Sequence, residues 1–157
     1  LETARAIRKK YPNTEFHICG YCDDKKYQGI LEEYEKDEII IYHGEQKNMI
    51  PYFEMASAII HPSYYPEGMS NVLLEAAAHG RPIICTNRSG CKETVNDGET
   101  GFIVPIKNTN KVISSVERLL NMNNAERKQM GCSGRTKMEK EFDRKIVVDK
   151  YMNEIGG

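Results

Sequence analysis

Apolar positions along the chain alternate between two periods. Ala4, Ile7 and Tyr11 recur at helical spacing, and Pro12-Asn13 ends that run. Phe16-His17-Ile18-Cys19 reads as a short strand closed by Gly20, and a polar helix carrying Ile30, Leu31 and Tyr34 follows, starting as early as Asp23. Ile39-Ile40-Ile41-Tyr42-His43 is continuous and β-branched, as in a parallel strand covered on both faces. Ile50 to Ala56 reads as a helix, Ala58 to His61 and Pro82 to Thr86 as strands, and Phe102-Ile103-Val104 as a short strand among turns at Asn96-Asp97-Gly98 and Gly101. Beyond it, Val112, Ile113, Val116, Leu119 and Leu120 form one helix face after the capping run Asn108-Thr109-Asn110, and charged helical segments continue to Tyr151. This alternation predicts an α/β domain over 1–157: a Rossmann-like doubly wound parallel sheet, helices on both faces and a helical C-terminal end. Ligands of such a fold sit beyond the carboxyl ends of the strands, where the loops after Cys19, His43, His61 and Thr86 lie.

One further helix belongs to that edge. In Pro66-Glu67-Gly68-Met69-Ser70-Asn71-Val72-Leu73-Leu74-Glu75-Ala76-Ala77-Ala78-His79-Gly80, Ser70 is a good N-cap whose hydroxyl accepts from a first-turn amide, and Gly80 suits the position past a helix end. The helix is therefore expected over Asn71 to His79, with Asn71, Glu75 and His79 on one polar stripe and apolar residues around the rest. Its first amides lack intrahelical partners and carry partial positive charge, which favours a phosphate beside Gly68 to Asn71. Gly68 lets backbone approach such a ligand. Glu75 lies about 7 Å further along the axis, where a carboxylate suits a sugar hydroxyl better than a phosphate. The plainer alternatives are a solvated loop carboxylate at Glu67 and a structural Lys or Arg partner for Glu75.

Composition narrows the class. A chain of 157 residues buries about 70% of its unfolded surface, enough for one proper core. A net charge of −1, from 22 basic and 23 acidic residues, gives no reason to expect nucleic-acid binding. No apolar run reaches membrane-spanning length, and Leu1-Glu2-Thr3-Ala4-Arg5 is unlike a signal peptide and resembles a cut through a longer chain. The five cysteines, Cys19, Cys22, Cys85, Cys91 and Cys132, fit a reducing, cytoplasmic setting. Cys19-Gly20-Tyr21-Cys22 lacks the second close pair that zinc requires, and a redox role for it is a remote alternative.

The ordered motifs carry a family resemblance. Glu67 to Pro82 resembles the E-x7-E signature of retaining glycosyltransferases of family 4, written E-G-hydrophobic-x5-E-A-x-A-x-G-x-P. His61-Pro62-Ser63 is similar to the P-S that precedes it, Ser89 to Phe102 to the family's G-x-x-E-x-V-x-D-G-x-x-G-F, and Phe16 to Gly20 to its strand ending in Gly. Together these cover most of Glu15 to Val104.

The resemblance implies a GT-B architecture, of which this chain resembles only the nucleotide-sugar-binding half; the N-terminal acceptor domain lies outside it. It further implies that Gly68, Met69, Ser70, Asn71 and Val72 hold the donor diphosphate, that Glu75 holds the ribose, and that Glu67 contacts the transferred sugar as the catalytic carboxylate. Gly90 would bring a second loop to the donor, Gly20 would approach it after the first strand, and the loop of Gly44 would lie by the base. The expected donor is a UDP- or GDP-sugar and the acceptor a glycan or lipid-linked glycan, with no metal and no further cofactor. Two departures stand out: the family's diphosphate-binding Arg and Lys precede the first helix here, and its Gly-x-Gly reads Gly20-Tyr21-Cys22. The alternatives that keep the fold are a nucleotide-sugar epimerase half and a non-catalytic nucleotide-sugar-binding module.

Overall fold

The computed structural model describes residues 1–65 and 68–155. Helix α1 (Glu2–Lys10) is followed by strand β1 (His17–Ile18), α2 (Lys25–Lys36), β2 (Ile41–Tyr42), α3 (Ile50–Met55), β3 (Ile59–His61), α4 (Asn71–Ala78), β4 (Ile83–Thr86), a 3-10 turn (Lys92–Thr94) and β5 (Gly101–Val104). Helices α5 (Thr109–Asn121), α6 (Asn124–Glu141) and α7 (Arg144–Ile155) complete the chain. The strands are shorter than the apolar runs predict: Cys19, Ile39 and Ile40 fall outside the ladders, and Phe16 and His43 flank the first one, the Phe16 carbonyl accepting from the Ile41 amide and the His43 amide donating to the Ile18 carbonyl. Helix α2 starts later than Asp23, because the Asp24 side chain accepts from the Lys26 amide and caps it.

Every strand pair is parallel, so the predicted sheet type holds. Its continuity differs from the expectation. Hydrogen bonds form two ladders, β1-β2 and β3-β4-β5, and none joins β1 to β3 among the described residues. The cost appears in burial: β4, flanked on both sides, is buried at all four positions, whereas β1 and β3 are only partly buried.

Alternation along the strands assigns the helices to two faces. Ile83 and Cys85 join Phe53 of α3, Leu73, Ala76 and Ala77 of α4 and Met138 of α6 in one cluster. Ile84, Phe102 and Val104 point the other way, to Ile7 of α1 and to Val112, Val116 and Leu119 of α5. On that second face, Ala4 of α1 joins Leu31, Tyr34 and Ile40 in a third cluster over the first ladder. Helix α1 therefore touches both ladders. Helix α6 begins with a complete capping box at Asn123 and Glu126 and lies so close to the end of α4 that Gly131 faces the Gly80 carbonyl.

Candidate functional site

Because the strands run parallel, their carboxyl ends deliver four loops to one edge, and hydrogen bonds tie these loops in pairs. The Gly20 amide donates to the Gly44 carbonyl at 2.8 Å, and the Tyr42 hydroxyl donates to the Gly20 carbonyl at 2.7 Å. Gly20 has φ +146° and Gly44 φ +65°, and a Cβ on either would meet nothing within 4 Å. Both loop backbones thus stay open to the crevice.

The second pair forms the start of α4. The Ser70 amide donates to the Gly90 carbonyl at 2.9 Å, while the Gly90 amide donates to Glu93 Oε2 at 2.8 Å. Glu93 thereby shapes a loop that Gly90, at φ +86°, turns toward the helix. This arrangement corrects the expectation for Ser70. Its side chain is buried beneath the Gly90 loop and makes no cap to the helix, and its amide is already used by Gly90. The Ser70 carbonyl still accepts from the Leu73 and Leu74 amides at 3.1 Å. Among the described residues, nothing accepts from the amides of Asn71 and Val72. Gly68 and Met69 are exposed on the approach to them.

Asn71 and Glu75 both lie exposed on α4, one turn apart. No structural Lys or Arg pairs with the exposed Glu75 among the described residues, so that alternative falls away. The third member of the expected stripe does something else. His79 lies just past the helix, where its Nδ1 is 2.9 Å from the Glu75 carbonyl and its ring packs on Phe53 at 5.2 Å. The helix consequently ends at Ala78, with Gly80 at φ +67° completing the stop. Glu67 lies outside the described residues.

Several groups at this edge had weak sequence signals. Arg88, on the loop after β4, donates from Nε to the Tyr65 carbonyl at 3.4 Å. Lys107, on the loop after β5, places Nζ 4.8 Å from the Tyr64 ring centroid, and the Tyr64 and Tyr65 rings stack at 4.3 Å. Their only signal was position, two to four residues beyond a strand end. His17 Nδ1 lies 2.9 Å from His43 Nε2, a cross-strand pair that the parallel register creates and no local pattern announces.

Cys19, Cys22, Cys85 and Cys132 are free thiols. Burial pushes the Cys19 thiol up, away from the thiolate that a redox role needs, and Cys22 Sγ lies 3.6 Å from the Asp24 carbonyl. Among the described residues, no group of three His, Cys, Asp or Glu side chains could hold a metal, and no helix is long and apolar enough to cross a membrane.

The family model described as glycosyl transferases group 1 matches residues 1–137. The chain belongs to this glycosyltransferase group. It is 34% identical over 101 residues to the capsular polysaccharide biosynthesis glycosyltransferase CapM of Staphylococcus aureus, covering 64% of this chain and 26% of CapM. It is 30% identical over 135 residues to a GDP-mannose-dependent phosphatidylinositol monomannoside mannosyltransferase of Mycobacterium tuberculosis, covering 86% and 31% of the two chains. Its fold matches TarM of S. aureus, solved with UDP, at a TM-score of 0.86 and 21% identity over 97% of this chain and 31% of TarM. The glycosyltransferase group 1 chain is thus a Rossmann-like half of the GT-B type, and it spans about a quarter to a third of the length of these relatives.

Proposed function

We propose that this chain is the donor-binding domain of a retaining, family 4, hexosyltransferase-type glycosyltransferase, which moves a sugar from a UDP- or GDP-sugar to a glycan or lipid-linked acceptor. The observation that carries this reading is the start of α4: among the described residues the Asn71 and Val72 amides have no acceptor and Glu75, one turn beyond them on the same exposed stripe, has no ion-pair partner. The open amides suit the donor diphosphate and Glu75 suits ribose hydroxyls. The backbone of Gly68, Met69 and Gly90 borders the diphosphate, and the joined Gly20 and Gly44 loops border the nucleoside. Ser70 acts through its link to Gly90, by fixing where the amides point.

In this mechanism the protein stabilises the diphosphate as the sugar bond breaks, since charge developing on a leaving phosphate is met by preoriented amides and cations. Arg88 and Lys107 add positive charge at this edge. Glu67 is assigned to the transferred sugar on the strength of its motif position. Retention does not use Glu67 and Glu75 as a glycosidase acid and nucleophile pair, because Glu75 is committed to the ribose. No divalent ion or other cofactor is needed in this scheme, and the free thiols suit the cytoplasm. The acceptor side is assigned to polypeptide beyond this chain, so the 157-residue chain binds donor without transferring sugar.

Isothermal calorimetry with UDP and GDP tests the reading. Binding of one of them, unaffected by chelator, is expected; no binding of either by the folded chain would overturn it, as would sugar transfer by this chain alone.

A further inference from the structure

Two histidines meet on one face of the first ladder. Ile18 and Tyr42 pack on the third cluster, on the α1 and α2 side, so alternation turns His17 and His43 to the opposite face. His17 Nδ1 lies 2.9 Å from His43 Nε2. The ring planes are 4° apart and the centroids 5.2 Å apart, which is that N···N distance plus one ring radius at each end. The rings therefore meet edge to edge, with the N–H of one aimed along the lone pair of the other.

Glu15 sets which ring donates. An ionised carboxylate only accepts, and Glu15 Oε2 lies 3.3 Å from His17 Nε2. The His17 proton accordingly sits on Nε2, Nδ1 is left as an acceptor, and His43 Nε2 carries the proton between the rings. One more proton fits on His43 Nδ1 without disturbing this chain. A second would set an N–H against an N–H at the same 2.9 Å, so the rings cannot both be charged and stay joined. Around the pair, Tyr52 of α3 tilts its ring against His43 at 4.8 Å, Cys19 follows His17 on the same strand face with its thiol kept protonated by burial, and Glu45 and Lys47 lie exposed on the loop beyond His43. Glu35 of α2 accepts from the Tyr42 amide at 2.9 Å, on the outer edge of β2. Among the described residues, the imidazole nitrogens bond to Glu15 and to each other.

His43 is also where β2 hands over to the crevice. Its amide donates to the Ile18 carbonyl at 2.9 Å, its carbonyl accepts from Gln46 Nε2 at 2.6 Å, and Gly44 then turns at φ +65° to offer its own carbonyl to the Gly20 amide. We infer that His17 and His43 are positioning residues for the donor site, and that the proton they share makes nucleotide binding acid-sensitive. The inference rests on the reading of the Gly20 and Gly44 loops as the nucleoside border. While the rings are joined, the His43 side chain is held to β1 and Gly44 keeps its place. Once both are charged, His43 swings away from His17 and shifts the start of the loop. Imidazoles take up protons between about pH 5 and 8. The joined form excludes one proton that the parted form binds, so acid favours the parted form by up to about tenfold per pH unit, and affinity falls as pH falls.

The test compares the wild-type protein, His43→Gln and His43→Leu between about pH 7.5 and 5.5. Gln keeps a donor near the place of Nε2 and cannot become charged, whereas Leu has no donor. Without ligand, Gly20 amide exchange measured by NMR and corrected for its intrinsic pH dependence should quicken about tenfold on acidification in the wild-type protein. It should stay slow in His43→Gln and be fast at both ends of the range in His43→Leu. The wild-type ring nitrogens should titrate in two separated steps. In calorimetry, the Kd for UDP or GDP should rise about tenfold on acidification beyond the change seen in His43→Gln, which carries the nucleotide's own titration. Inorganic pyrophosphate, which has no nucleoside, should show one pH dependence in every variant. If His43→Leu does not fold, the wild-type protein and His43→Gln decide alone. Equal Gly20 exchange in wild type and His43→Gln, ring nitrogens that titrate independently, or nucleotide affinity with the same pH profile in both would overturn the inference. Absence of UDP and GDP binding at every pH is the separate failure, which overturns the donor-domain reading and this inference with it.

Discussion

Replacing Glu75 with Gln separates the two halves of the proposed donor site. Five residues past Ser70, the Glu75 Cα lies about 7.5 Å along the helix from the cap, beyond direct reach of a phosphate held by the Asn71 and Val72 amides and within reach of the adjoining ribose. The carboxylate is exposed and has no ion-pair partner among the described residues, so the substitution should change stability by no more than about 0.5 kcal/mol. Hydrogen bonds to a charged acceptor contribute about 1.5–3 kcal/mol, against about 1 for neutral ones. With two hydroxyls bound, the loss is about 1–4 kcal/mol, or roughly five- to several-hundredfold in Kd. Calorimetry with UDP or GDP should show this loss, while inorganic pyrophosphate, which lacks a ribose, should bind both proteins equally. An unchanged affinity for the nucleotide, or an equal loss with pyrophosphate, would refute the division of the site.

Five other substitutions have defined outcomes. Glu67→Gln should leave UDP or GDP affinity within about twofold while lowering transfer in the intact enzyme; a nucleotide affinity loss as large as that of Glu75→Gln would reverse the two roles. Gly90→Ala places a side chain at φ +86° at a cost of about 1–2 kcal/mol and shifts the carbonyl that holds Ser70, so nucleotide affinity should fall with it; unchanged affinity would remove Gly90 from the site. Gly101→Ala and Gly131→Ala put a Cβ against the Ile83 and Gly80 carbonyls respectively, so each should cost about 3 kcal/mol or more in urea unfolding; a loss under about 1 kcal/mol at either position would contradict the packing. Burial, with smaller contributions from Cys91, Asp97 and Glu93, pushes the Cys85 thiol up from its ordinary value near 9 to about 12; the folded chain keeps that proton where the unfolded chain releases it, so stability is intact below about pH 9 and falls by about 1.4 kcal/mol per pH unit above it. Cys85→Ala should flatten that decline in urea midpoints measured from pH 8 to 10, and parallel curves for the two proteins would count against it.

What could be read from the sequence was governed by range. Helices α1, α3 and α5 and the apolar body of α4 follow from local periodicity, because their burial is a property of one face of one segment. Strand identity and direction were legible from β-branched runs at Ile39 to His43 and Pro82 to Thr86. Strand extent was not, since Ile39 and Ile40 carry the same residue type as Ile41 and only pairing distinguishes them. The existence of α4 and its place after β3 were legible from Ser70 and Gly80, whereas the fate of His79 depends on the Phe53 ring, 26 residues away in sequence. Arg88 and Lys107 were missed because a lone cation after a strand has no pattern of its own.

Ser70 shows how such a reading fails even when the motif is placed correctly. A serine at a helix start satisfies the local rule for a cap, and the rule counts only groups within the helix. The structure adds an acceptor from 20 residues downstream: the Gly90 carbonyl takes the Ser70 amide, the loop covers the side chain, and the cap is lost. Loss of the cap leaves the Asn71 and Val72 amides without an acceptor among the described residues, which would be unfavourable for the helix alone. In the proposed donor site it is useful, because an N-terminal hydroxyl would compete with a phosphate for the same donors. The Gly90 loop therefore holds α4 by the one amide that a ligand does not need and leaves Asn71 and Val72 open, and this reciprocal use of donors explains why the loop and the helix start have to be read as one unit.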